Sequence, residues 1–204
     1  MDIISQSDTD FFLTGGTALS RAYYNHRYSD DLDFFLNQSQ TYDEQVDEIL
    51  DLLQENGYSW STTKMFARAN HFTTLMVRKD SELSLKLDFV NDLVPHFGDT
   101  VETELFHRTD SIWNILSNKL SAIFRFEAKD IADIREIALR ESVNWAQAIN
   151  DARQKEAGVE LHYVSQIMTG IPESEYKTIN WTNDPGWDVF MADIEIIAFE
   201  MLNG

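Results

Sequence analysis

The chain has 204 residues, no cysteine, and 35 acidic against 16 basic side chains, for a formal net charge of −19. The absence of Cys excludes disulfides, Cys-ligated zinc and thiol nucleophiles, and the acidic excess argues against strong general affinity for nucleic acid, which needs lysines and arginines gathered on one surface. No stretch approaches the roughly 20 apolar residues of a membrane span, and the first residues, with Asp2, Asp8 and Asp10, lack the basic region of a secretory signal, so a soluble cytoplasmic protein is expected.

In chain order, Phe11-Phe12-Leu13 reads as a short buried strand, and Gly15-Gly16 after it lets the backbone turn sharply and approach a ligand closely. Thr17 offers an N-cap for a helix from about Ala18 through Asn25, whose unpaired N–H groups would attract phosphate. Asp31-Leu32-Asp33-Phe34-Phe35-Leu36 then reads as a strand. Asp43 to Asn56 carries Val46, Ile49, Leu50, Leu52 and Leu53 at near-helical spacing and ends at Asn56-Gly57. Tyr58 to Arg68 and His71 to Lys79 read as strands joined at Ala69-Asn70, and Glu82 to Val90 as another, in which Leu83, Leu85, Leu87 and Phe89 alternate with Ser84, Lys86, Asp88 and Val90.

From about Ser111 the pattern is helical. Asp110 can cap a helix carrying Ile112, Trp113, Ile115, Leu116, Leu120, Ile123 and Phe124. Further helices are expected over Asp130 to Arg140, Asn144 to Lys155, Glu160 to Met168 and Trp187 to Leu202, with Pro172 and Asp184-Pro185-Gly186 as breaks. The reading is α+β: a mixed sheet with flanking helices over residues 1–108, then a helical bundle over 109–204 packed against it.

A strand puts residues i and i+2 on one face, so Asp31 and Asp33 project together while Leu32 and Phe34 point the other way. Two adjacent carboxylates repel unless water screens them, one holds a proton, or a divalent cation lies between them. Asp88, on the polar face of its strand, is the candidate for a third carboxylate, and Asp30 reads as a solvent-facing neighbour. Ser29 is either a phosphate ligand or a turn serine; Arg27 either neutralises phosphate or pairs with Asp30 or Asp31. Helical spacing lets Lys119, Arg125 and Lys129 share a broad basic face, which either closes over a triphosphate or answers the protein's own carboxylates. Asp130 and Asp133 can cap or flank the next helix. The histidines lack zinc spacing. Trp181 and Trp187 read as core, with a partner surface or a base as the alternative.

Gly15-Gly16-Thr17-Ala18-Leu19, Arg27, and Ser29-x-Asp31-x-Asp33, in this order and spacing, resemble the signature of AbiEii/AbiGii-toxin-type nucleotidyltransferases, a branch of the DNA polymerase β-like superfamily. The segment Asn118 to Asp130 resembles the Lys, Arg and Lys-Asp pattern found downstream in the same family. The resemblance implies a polymerase β-like nucleotidyltransferase sheet and Mg²⁺ (or Mn²⁺) held by Asp31, Asp33 and Asp88. It also implies a nucleoside triphosphate held by Gly15, Gly16, Thr17, Arg27, Ser29, Lys119, Arg125 and Lys129, with Lys119 and Asp130 joining the catalytic set. An NMP would pass to an acceptor hydroxyl on RNA, such as the tRNA 3′ end, or on a protein, and a cognate antitoxin would be a partner in a toxin–antitoxin or phage-defence pair. Two rivals stand beside it: a catalytically silent member that binds nucleotide or protein, and a metal-dependent phosphatase or nuclease. The first is opposed by the three aspartates; the second has no use for a Gly-Gly-Thr turn so near them.

Overall fold

The two stretches with the sharpest apolar alternation, 31–36 and 83–90, become neighbouring strands at the centre of a sheet. The computed structural model describes residues 1–61, 66–79 and 83–203. The described residues cluster into two compact units. The first is Met1–Ala22, Ser29–Val94 and Asp99–Asp110; the second is Tyr23–Tyr28, Pro95–Gly98 and Ser111–Gly204. The main break falls after residue 110, and two short segments from earlier in the chain join the helical unit.

In the first unit, β1 (Phe12–Thr14), β2 (Asp31–Asn37), β3 (Ser59–Trp60), β4 (Phe66–Ala69), β5 (Phe72–Lys79) and β6 (Leu83–Asp92) form one mixed sheet in the order β1-β2-β6-β5-β3, with β4 also on β5. β2 and β6 run parallel and the other pairs antiparallel. Leu32, Phe34, Leu36, Leu87 and Phe89 are buried on one face. There Phe34 stacks on Phe89 with centroids 5.6 Å apart, and Phe11 meets Phe89 edge-on at 5.2 Å. Aromatic pairs of this kind add to plain area burial. Helix α2 (Tyr42–Glu55) buries Val46, Ile49, Leu50 and Leu53, and its Tyr42 hydroxyl bonds with Thr73 Oγ1 and the Phe89 carbonyl. The strand read over Tyr58 to Arg68 is two short strands, and its positions 62–65 lie outside the described residues, as does Glu82.

The turn after β1 differs from the sequence reading. The helix begins three residues earlier, as a single α-turn, α1 (Gly15–Thr17), and continues as a π-helix over Ala18–Tyr24. Thr17 thus lies inside the helix, and its hydroxyl donates to the Asp31 carbonyl. The capping position falls to Thr14.

The second unit contains α3 (Ile112–Ser121), α4 (Ala128–Arg140), α5 (Trp145–Lys155), α6 (Leu161–Thr169), α7 (Glu173–Tyr176) and α8 (Trp187–Asn203). Their apolar stripes supply its core: Ile115, Leu116 and Leu120 from α3, Ile131, Ile134 and Ile137 from α4, Ile149 from α5, Val164 and Met168 from α6, and Phe190, Ile194 and Ile197 from α8. Ser111, not Asp110, caps α3, accepting from the Asn114 N–H at 3.0 Å. Asp110 is buried instead and accepts from the Thr14 hydroxyl. The expected continuous basic helix face from Lys119 to Lys129 does not form. α3 stops at Ser121, a 3₁₀ turn follows over Ile123–Arg125, and Phe126 takes a left-handed conformation (φ 57°) before α4 starts. Trp181 and Trp187 pack around Tyr176 with centroids 5.6 and 5.5 Å away.

Candidate active site

The period-2 geometry of β2 and the register of its parallel partner decide where the acidic side chains go. Asp33 pairs with Asp88 and Asp31 with Lys86 across the β2–β6 ladder. Pairs in register point to the same side of a sheet, so Asp31, Asp33, Lys86 and Asp88 share the face opposite Leu32, Phe34, Leu87 and Phe89. The rung through Asp33 and Asp88 extends to Thr14 on β1 and Thr74 on β5. Thr74 Oγ1 donates to Asp88 Oδ1 at 2.5 Å.

Lys86 answers the charge of this acidic rung. Its Nζ lies 2.6 Å from Asp88 Oδ2 and 3.5 Å from Asp31 Oδ2. Burial pulls the Lys86 ammonium towards neutrality, but Asp88 and Asp31 outweigh it and hold its pKa above the ordinary lysine value. The Asp88 side chain is only 14% exposed and that of Asp31 45%, so the pair presents one shielded and one open carboxylate. All the donors here are hard oxygens of the type Mg²⁺ prefers. Among the described residues no three His, Cys, Asp or Glu side chains meet as a ready metal cluster; two of the aspartates converge on one cation, and that cation is the lysine's.

Gly15 adjoins the third aspartate. Its φ is +69°, and a Cβ there would come within 2.6 Å of Asp33 Oδ2. Both facts favour glycine, one through backbone conformation and the other through space. Gly16 and Thr17 follow in the buried start of the helix. Further along that helix the Arg21 guanidinium reaches the Ser29 carbonyl at 3.4 Å, while Asp30 is exposed.

The remaining sequence candidates lie in the helical unit, around a buried ionic cluster. Arg27 donates from Nε and Nη2 to the two oxygens of Asp133, each at 2.7 Å, and His26 Nε2 lies 2.8 Å from Asp133 Oδ1. Lys119 Nζ is 2.8 Å from Asp130 and 2.7 Å from Asp133. Arg125, with 55% of its side chain exposed, meets Asp130 at 2.7 Å. Lys129 stands apart and pairs with Glu127 at 2.9 Å. Burial alone would raise the Asp133 carboxyl, but Lys119, His26 and Arg27 together hold it well below the usual carboxylate range. For Lys119 burial works downwards and the two aspartates upwards, and the aspartates prevail.

Sequence reasoning passed over Lys86 and Asp133 as site residues. Lys86 was visible as the residue two before Asp88 on the same strand face. Asp133 was not, because its partners Arg27 and His26 lie more than a hundred residues away in the chain.

The profile of the family described as "Nucleotidyl transferase AbiEii toxin, Type IV TA system" matches residues 2–191. The chain belongs to this family of nucleotidyltransferase toxins. Three solved structures share its fold. JHP933 from Helicobacter pylori is 20% identical, with a TM-score of 0.67 over 98% of this chain and 87% of that one. A putative nucleotidyltransferase from H. pylori is also 20% identical, with a TM-score of 0.66 over 98% and 90%. MenT4, the nucleotidyltransferase toxin Rv2826c from Mycobacterium tuberculosis H37Rv, is 16% identical, with a TM-score of 0.61 over 98% and 79%. No curated protein matches the chain. Among the described residues no helix is long and apolar enough to cross a membrane.

Proposed function

We propose that the chain is a Mg²⁺- or Mn²⁺-dependent nucleotidyltransferase that moves an NMP from a nucleoside triphosphate to an acceptor hydroxyl and releases pyrophosphate. The observation that carries this reading is the convergence of carboxylates from two strands, Asp31 and Asp88 on one cation with Asp33 in register beside them, next to Gly15, where a Cβ would press on the Asp33 carboxylate. Asp31, Asp33 and Asp88 would hold the divalent ion. When bound, the ion supplies charge neutralisation at the triphosphate and lowers the pKa of the attacking hydroxyl.

The chain's own groups do the rest. Gly15, Gly16 and Thr17 let the backbone approach the triphosphate, and Ser29 offers a hydroxyl to a phosphate oxygen. Asp88, which Thr74 holds on one oxygen, would accept the acceptor's proton. Arg27, Lys119, Arg125, Lys129 and Asp130 enter the proposal through the family resemblance. Of these, Arg125 and Lys129 have solvent-open cations, Arg125 on the buried Asp130, whereas the Lys119 ammonium is already engaged by two carboxylates. In this reading the first unit is the catalytic domain, the second a helical domain, and the protein acts in the cytoplasm as the toxin of a toxin–antitoxin or phage-defence pair. The acceptor is an RNA hydroxyl, such as the tRNA 3′ end, or a protein hydroxyl, and a cognate antitoxin is the protein partner.

The test is transfer of labelled nucleotide from each of the four triphosphates, with Mg²⁺ or Mn²⁺, to bulk RNA and to lysate protein. Wild type should label one acceptor class, and Asp31→Ala should lose at least about 100-fold, as expected when charge stabilisation at the reacting phosphate is removed. Labelling that survives in Asp31→Ala refutes the mechanism.

A further inference from the structure

We propose that Lys86 is an internal competitor for the divalent cation, so that the metal binds weakly by itself and firmly only together with a triphosphate. The inference rests on the reading of Asp31 and Asp88 as metal ligands. Two features of the strand pair carry it. Lys86 sits directly across the ladder from Asp31 and two residues before Asp88, so its stem rises between the two carboxylates from a position fixed by register. Its Nζ bridges them, at 2.6 Å to Asp88 and 3.5 Å to Asp31. Asp88's other oxygen already accepts from Thr74, so both Asp88 oxygens are engaged, one of them by the ammonium itself.

A divalent ion that takes the gap must displace the ammonium and break both of its ion pairs. With metal alone, the displaced charge has only water to receive it. With a triphosphate present, the phosphate oxygens accept it, and the cost of displacement becomes part of the attraction for the nucleotide. The coupling is reciprocal: triphosphate tightens metal, and metal tightens triphosphate, by the same factor. If the gap is free of the ammonium about one-tenth of the time, the apparent dissociation constant for metal alone is about tenfold weaker than the intrinsic one.

The experiment measures Mn²⁺ binding to the full chain from the signal of free Mn²⁺ in electron paramagnetic resonance, with and without a non-hydrolysable α,β-methylene triphosphate. Wild type, Lys86→Met, Lys86→Gln, Lys86→Arg and Asp31→Asn are compared, with melting curves as the check of folding. Without nucleotide, Lys86→Met and Lys86→Gln should bind Mn²⁺ about tenfold tighter than wild type, and Lys86→Arg, which keeps the charge, should stay near wild type. The tightening of Mn²⁺ by the analogue should shrink by a similar factor in the two neutral variants. Glutamine offers a substitute that preserves length should methionine fail to fold. Equal or weaker Mn²⁺ binding in the neutral variants, with wild type above the Asp31→Asn background, overturns the role of Lys86 and leaves the metal reading standing. Binding at the Asp31→Asn background in every variant overturns the metal reading, and the competitor with it.

Discussion

Gly15 concentrates two constraints in one residue, and they can be separated by substitution. Its positive φ costs an L-residue about 1–2 kcal/mol, and the added methyl must also push against the Asp33 carboxylate, 2.6 Å from where its Cβ would sit. Gly15→Ala should therefore lower the melting temperature and, in the proposed function, reduce nucleotide transfer by displacing Asp33. Gly57, also at positive φ but with only the far end of Lys79 near its Cβ position, is the control: Gly57→Ala should cost stability alone. Equal effects of the two substitutions on transfer would show that the Asp33 contact does not matter. The neighbouring residues show what was legible at this scale. Asp31 and Asp33 could be placed on one face, and Asp88 on the polar face of its own strand, from strand period alone, because alternation is a local property; that the two faces coincide is set by the β2–β6 register. The Arg27–Asp133 pair could not, since nothing near either residue in the chain points to the other.

At the scale of elements, apolar spacing located the principal helices and strands to within a few residues, because amphipathic periodicity is imposed by the core each element must cover. It failed where a backbone break occurs inside a region of continuous helical spacing. Two helices are expected on either side of Phe126, but the spacing also put Lys119, Arg125 and Lys129 on one shared helical face, and Phe126, at φ 57° between α3 and α4, breaks that face. The break lets Lys119, at the end of one helix, and Asp130, in the first turn of the next, meet at 2.8 Å, which one straight helix would not allow for residues eleven apart. Phe126 is 62% exposed, so its side chain is a small part of what holds the turn. Substitution by glycine should leave the melting temperature near wild type. Substitution by valine, whose β-branch tolerates the left-handed region worst, should lower stability by about 1–2 kcal/mol relative to Phe126→Gly. A valine variant as stable as the glycine one would mean that the turn can reopen at no cost.

For the whole molecule, the charge of −19 and the buried Asp133 act on stability in opposite directions as pH falls. Protonation of surface carboxylates below neutrality relieves self-repulsion and favours the compact state. Asp133 works the other way. Its folded pKa lies below the unfolded value of 3.8, so its contribution is fully present above that value and is lost as pH drops through the folded pKa. Lys119, whose pKa is raised from 10.5, contributes fully below 10.5 and loses its share only in strong alkali, so it does not affect the acid limb. The melting temperature should rise modestly from pH 7 towards about pH 5, where exposed carboxylates start to protonate, and then fall steeply below about pH 4. Asp133→Asn should lower stability at pH 7 by about 3–5 kcal/mol, because Arg27 and Lys119 are left in a buried site with half of their counter-charge removed. It should also flatten the fall below pH 4. An acid limb in Asp133→Asn as steep as in wild type would move the origin of acid unfolding away from the buried cluster and onto the surface charge.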